Sequence, residues 1–108
     1  MHHLSTHVLD TSLGRPAAGI AVIAERREPS GTWSEVGRGE TDADGRVANL
    51  APVSAGDYRL TFAVAPYFQS HRVAAFFPEV VIHVRLDDAR YHVPLLLSPF
   101  GYCTYRGS

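Results

Sequence analysis

Apolar residues recur along the chain at every second position, and no window carries a long apolar stripe at helical period. Tyr58, Leu60, Phe62 and Val64 share one face, with Arg59, Thr61, Ala63 and Ala65 on the other. Val80, Ile82, Val84 and Leu86 repeat the pattern against Val81, His83 and Arg85. Tyr91, Val93, Leu95 and Leu97 repeat it against His92, Pro94, Leu96 and Ser98. Successive side chains of a strand point to opposite faces of a sheet, so each segment predicts a strand with one side in a core. Residues 4–10, 20–26, 33–40 and 101–106 predict further strands, and 47–50 a short one. Turn-forming residues punctuate the chain at 12–16, 29–31, 42–45, 54–57, 87–88 and 98–101. Short strands so spaced predict an all-β, antiparallel sandwich. Pro66 suits the first turn of a helix, so 66–73 is expected to form one short helix. Pro94 interrupts a strong strand pattern; with no N–H to give a ladder, it predicts an edge position or a bulge.

Composition bounds the rest. At 108 residues and 11.8 kDa, the chain is expected to be one domain over 1–108. With 45% hydrophobic and 19% charged residues, it reads as globular and not disordered. Ten arginines, no lysine and eleven acids leave a net charge of -1 and no basic run, which argues against a nucleic-acid partner. Without lysine, neither Schiff-base chemistry nor a P-loop is available. One cysteine cannot close an internal disulfide or a CxxC motif. No apolar run is long enough to span a membrane, and residues 1–5 do not read as a secretory signal. A cytoplasmic domain is the expectation.

Six histidines are the obvious titratable candidates. His2 and His3 are expected to fray, His71 to lie in a polar surface patch, and His83 to sit on an outer sheet face. His7 falls mid-strand, sharing its face with Ser5 and Leu9, and His92 shares a face with Leu96. On local pattern alone both are outer-face residues. No HExxH or H-x-H spacing supports a metal, and no G-x-S-x-G elbow is present. Arg46 reads locally as a solvated turn residue and Cys103 as structural. The ending Tyr105-Arg106-Gly107-Ser108 follows an aromatic, alternating segment and is expected to be ordered, its terminal carboxylate a fixed charge.

Taken together, three stretches resemble one family. Leu4-Ser5-Thr6-His7-Val8-Leu9-Asp10-Thr11 with Gly14-Arg15-Pro16-Ala17, Thr41-Asp42-Ala43-Asp44-Gly45-Arg46, and Tyr91-His92-Val93-Pro94-Leu95-Leu96-Leu97-Ser98-Pro99 through the YRGS ending resemble the transthyretin-related proteins, in their 5-hydroxyisourate hydrolase branch. The resemblance spans essentially the whole chain. Its most specific element is YRGS, which the hormone carrier transthyretin lacks; the carrier also has lysine where His7 stands. The resemblance implies two four-stranded sheets with one short helix, and a homotetramer built as a dimer of dimers with active sites in a shared channel. It places the site on His7, Arg46, His92, Tyr105, Arg106, Gly107 and Ser108, with His7, Arg46 and His92 catalytic and no cofactor or metal. Cys103 departs from the serine common at its position. The implied reaction is hydrolysis of a cyclic C–N bond in 5-hydroxyisourate, giving 2-oxo-4-hydroxy-4-carboxy-5-ureidoimidazoline on the route from urate to allantoin. His7 is favoured as base on water, Arg46 to steady negative charge and Arg106 to face the ring. The alternative is a transthyretin-like carrier that binds a small molecule without chemistry.

Overall fold

The alternating segments become strands whose apolar sides face one another across a sandwich, in a computed structural model that describes residues 1–108. In chain order these are β1 (His3–Asp10), β2 (Arg15–Pro16), β3 (Ala21–Arg27), β4 (Trp33–Glu40), β5 (Arg46–Pro52), β6 (Gly56–Phe62), α1 (Val64–Ser70), β7 (Val80–Leu86), β8 (Tyr91–Ser98) and β9 (Gly101–Thr104). The first sheet runs β9-β8-β1, and the far side of β1 is shared by β5 along His3–His7 and the two-residue β2 along Leu9–Asp10. The second sheet runs β4-β3-β6-β7. Every pair is antiparallel except β1 and β8, which run parallel with Ser5 opposite His92 and His7 opposite Pro94.

The core lies between the sheets. Leu4 and Val8 from β1, Val22 and Ala24 from β3, Tyr58, Leu60 and Phe62 from β6, and Leu95 and Leu97 from β8 are all buried. Each large apolar side chain there contributes on the order of 1.5–3 kcal/mol. The alternation inferred for 58–64, 80–86 and 91–98 therefore correctly separates core from outer face. One carboxylate enters this interior. Asp10 is buried and accepts hydrogen bonds from Tyr67 Oη at 2.7 Å, Ser12 Oγ at 2.6 Å, and the backbone N–H groups of Ser12 and Leu13. Burial pushes its pKa up, but those four bonds outweigh it and hold Asp10 below the usual carboxylate value. The Tyr67 phenol, buried against that carboxylate, is driven well above its ordinary value.

The two flanks of the sandwich differ. On one, β5 crosses close over β4: a Cβ on Gly37 would fall on the Leu50 carbonyl, and one on Gly39 would lie 2.8 Å from Val47 Cγ1. On the other, β7 and β9 end their sheets with no neighbouring strand.

Several expectations change. Pro94 is neither at an edge nor at a bulge: β8 lies between β1 and β9, and neither ladder is irregular. The Pro94 carbonyl accepts from Thr104 Oγ1, so this side of Pro94 faces β9. The β8–β9 ladder stops at Leu95–Thr104 and pairing returns only at a bridge between His92 and Gly107. Pro94 occupies the gap, where no N–H is called on. For the same reason β9 ends at Thr104 and not at Arg106. The helix starts two residues before Pro66, which sits in the first turn, where N–H groups lack intrahelical partners. His2 and His3 are not frayed, because His3 pairs with Pro52 and the His2 carbonyl accepts from Val53. Cys103 is exposed on β9. No helix is long and apolar enough to cross a membrane.

Candidate active site

β1 and β8 are central neighbours in the first sheet, and their outer faces carry Ser5, His7, His92 and Leu96 side by side. Parallel register brings the two histidines together across 85 positions of sequence, with ring centroids 6.5 Å apart and planes tilted by 39°. Arg46, the first residue of β5, lies opposite His7 on the other side of β1. Paired residues of an antiparallel ladder project to one face, so all three share the outer face of this sheet.

The 42–46 loop holds His7 and Arg46 in relation to each other. Asp42 Oδ1 accepts from the N–H groups of Asp44 and Arg46, both at 2.9 Å, which closes an Asx-type turn. Gly45 follows with φ 77°, and its carbonyl accepts from Val8 of β1 at 2.7 Å. A Cβ there would run into the Val8 carbonyl, so glycine is required. The loop thus presents the Asp44 carbonyl to His7, whose Nε2–H donates to it at 2.8 Å. In the neutral ring this leaves Nδ1 as the unprotonated nitrogen.

His92 is held on three sides. Its Nδ1 lies 2.8 Å from Ser5 Oγ. Its carbonyl accepts from Gly107 N at 2.8 Å. The Gly107 backbone packs against the ring so closely that a Cβ would stand 2.7 Å from His92 Cδ2. Half-burial, then the neighbouring His7, then the Arg46 charge together hold the His92 pKa below its ordinary value of 6.5. That favours the neutral ring.

A cleft of about 820 Å³ opens over this surface. Arg46, His92, Gly107 and Ser108 line it with Ser5, Asn49, Arg90, His2 and His3; no Asp or Glu side chain does. Arg46 and Arg90 take part in none of the protein's three ion pairs. His7 stands beside this cleft rather than on its wall. Tyr105 and Arg106 lie elsewhere. They line a smaller cleft of about 290 Å³ at the β7 flank, where the Arg106 guanidinium sits 4.9 Å from the centre of the Tyr91 ring. Gly107 meets His92, while the Arg106 guanidinium lies over the Tyr91 ring and is absent from the larger cleft.

Of the seven residues singled out from sequence, the cleft gathers Arg46, His92, Gly107 and Ser108, with His7 adjacent and Tyr105 and Arg106 apart. Ser5, Asp42, Asp44 and Arg90 were missed. A faint signal existed for Ser5, which shares the His7 face two residues earlier. Nothing local marks the Asp44 carbonyl or Arg90.

Comparison with known proteins agrees with this geometry. The family model described as HIUase/Transthyretin family matches residues 4–107. A 5-hydroxyisourate hydrolase of Salmonella dublin is 46% identical over 110 residues, covering 97% of this chain and 80% of its own. The structure of Klebsiella pneumoniae 5-hydroxyisourate hydrolase superposes with a TM-score of 0.88 at 35% identity, covering all of both chains. Sea bream transthyretin in complex with thyroxine superposes with a TM-score of 0.92 at 29% identity, covering 96% of this chain and 93% of that one. The fold is common to enzyme and carrier, so the side chains on it carry the distinction. By family model, by sequence and by structure, this chain belongs to the HIUase/transthyretin family.

Proposed function

We propose that this protein is a hydrolase of 5-hydroxyisourate, acting in urate breakdown, and that Arg46 and His92 in the polar cleft, with His7 beside them, carry the reaction. The observation behind this reading is a half-buried histidine beside an unpaired arginine in a cleft with no acidic side chain on its wall. A cyclic amide needs an activated water, a stabilised oxyanion and a proton for the leaving nitrogen. His92, which lines the cleft as His7 does not, is better placed to take the proton from water, which reverses the preference drawn from sequence. Water oxygen then bonds to the ring carbonyl carbon, and Arg46 faces the negative charge on the carbonyl oxygen. The C–N bond breaks, and the proton held by His92 or one supplied by His7 passes to the departing nitrogen. The product keeps the new oxygen as a carboxylate.

The same reading includes a homotetramer. The unpaired edges of β7 and β9 lie on one flank, beside exposed Phe76, Phe100 and Tyr102. Unpaired edges with apolar surroundings favour strand pairing between copies. Assembly would set Tyr105 and Arg106 against a neighbouring copy.

The carrier reading has one observation in its favour, the superposition on transthyretin with thyroxine. The lining weighs against it: of the thirteen cleft residues only Met1, Ala48 and Tyr91 are apolar. A test separates the two. Urate oxidase generates 5-hydroxyisourate, and its ultraviolet decay is followed with and without the protein. Catalytic acceleration is expected; a decay no faster than the spontaneous one refutes the hydrolase.

A further inference from the structure

We infer that Ser5 is a positioning residue for His92: its hydroxyl accepts a hydrogen bond from Nδ1–H and so leaves Nε2 as the basic nitrogen. Three observations converge on it. Ser5 lies directly opposite His92 in the parallel ladder, so the backbone of two central strands fixes their separation. The oxygen is 2.8 Å from Nδ1. The same hydroxyl also points to the Tyr91 carbonyl at 3.5 Å, a group that can only accept. A serine has one proton to donate. With that proton directed at the Tyr91 carbonyl, the oxygen lone pairs are left for an Nδ1–H donor. The relay runs from Nδ1–H to Ser5 Oγ and from Ser5 O–H to Tyr91 O.

The consequence lies at the other end of the ring. Nε2 makes no hydrogen bond within the protein, and His92 lines the cleft. An imidazole protonated at Nδ1 presents a lone pair at Nε2; the opposite tautomer would present a proton and could not act as base. When Nε2 takes a proton, the Nδ1–H bond to Ser5 becomes charge-assisted and strengthens. The serine therefore selects the tautomer and also supports the imidazolium that forms.

This inference rests on His92 being the base, so its test carries a readout independent of turnover. Nitrogen-15 correlation spectra of the histidines at neutral pH are expected to show His92 protonated at Nδ1 in the wild type. A ring protonated at Nε2 overturns the inference, whatever the activity. In kinetics, Ser5→Ala is expected to lower kcat roughly tenfold, below the 10²–10⁴ that an acid–base group itself supplies, and to move the acid limb to lower pH. Ser5→Thr, which keeps the hydroxyl, is expected to restore kcat to within about twofold of wild type, still within the reach of positioning effects. In a His92→Asn background, Ser5→Ala should change the residual rate by less than about twofold, because coupled residues are non-additive. A full loss persisting in that background, or an Ala variant whose acid limb does not move, overturns the inference. Failure of the wild type to accelerate 5-hydroxyisourate decay would sink the hydrolase reading while leaving the tautomer result to stand or fall alone.

Discussion

The outer faces of the two sheets are built from similar residues and do opposite things with them. On the second sheet three arginines have a carboxylate: Arg59 meets Glu25 at 2.7 Å, Arg85 meets Asp57 at 2.9 Å and Arg38 meets Glu35 at 2.5 Å. Trp33 adds to this, with the Arg59 guanidinium over its ring and His83 against its edge. On the first sheet Arg46 has no carboxylate, and the histidines are bonded to a carbonyl and a hydroxyl. Paired exposed charges neutralise each other and leave little field. Unpaired ones beside a cleft keep theirs for whatever enters it. Charge content alone does not distinguish the faces; the presence or absence of partners does.

The largest expected effect comes from removing a cleft side chain. His92→Asn should lower kcat by about 10²–10⁴, and His7→Asn by a factor in the same range. Arg59→Gln, on the paired face, should leave turnover unchanged in the same ultraviolet assay. Near-wild-type rates in both histidine variants would erase the contrast between the faces. Removing Tyr105 to Ser108 should abolish turnover as well, since Gly107 braces His92 and Ser108 lines the cleft. A carrier would lose far less.

Asp10 sharpens the comparison from inside the sandwich. It is a third kind of charge, partnered by hydrogen bonds rather than by a cation. Asp10→Asn should cost about 2–4 kcal/mol, read by denaturant unfolding, because the buried Tyr67 hydroxyl loses its acceptor and the remaining bonds lose their charge. The sign with pH follows from its lowered pKa. The stabilisation is present above the ordinary carboxylate value of 3.8 and is lost as pH falls through the lower folded value. The Asn variant should lack that acid-dependent loss.

A smaller effect concerns the His92 titration. Its pKa is depressed, so the neutral base persists below 6.5 and the acid limb of kcat/KM should lie below that value. Arg46→Met removes one of the depressing charges and should move the limb to higher pH, burial remaining the larger cause. A limb that stays fixed would show that the arginine charge does not reach His92. The smallest effect belongs to the paired face. Arg85→Gln and Arg38→Gln should leave the midpoint of thermal unfolding without a resolvable change, since exposed pairs are screened by solvent.

The strands were legible because their signal is local. Tyr58, Leu60 and Phe62 announce a half-buried strand without reference to any other segment, and all three are buried. Where Pro94 misled, the cause was pairing. Whether a strand is central depends on which segments flank it, and here the missing N–H faces a gap between a ladder and a bridge. The family resemblance singled out His7, Arg46 and His92, whereas local pattern alone placed the two histidines on a plain outer face and Arg46 in a solvated turn. Neither approach indicated the Asp44 carbonyl as a partner, and Ser5 was marked only by sharing the His7 face.

The sequence by itself determined the sandwich, the separation of core from outer face, the family and three of the polar groups now found close together. Those follow from periodicity, turn chemistry and motif, which act over a few residues. Only the tertiary structure decided the parallel β1–β8 register, which sets Ser5 against His92, and the direction of Arg106, which faces Tyr91 and not the cleft. Both depend on hydrogen-bonded neighbours distant in sequence, and the energy that selects them is spread across the whole core rather than held in any short segment.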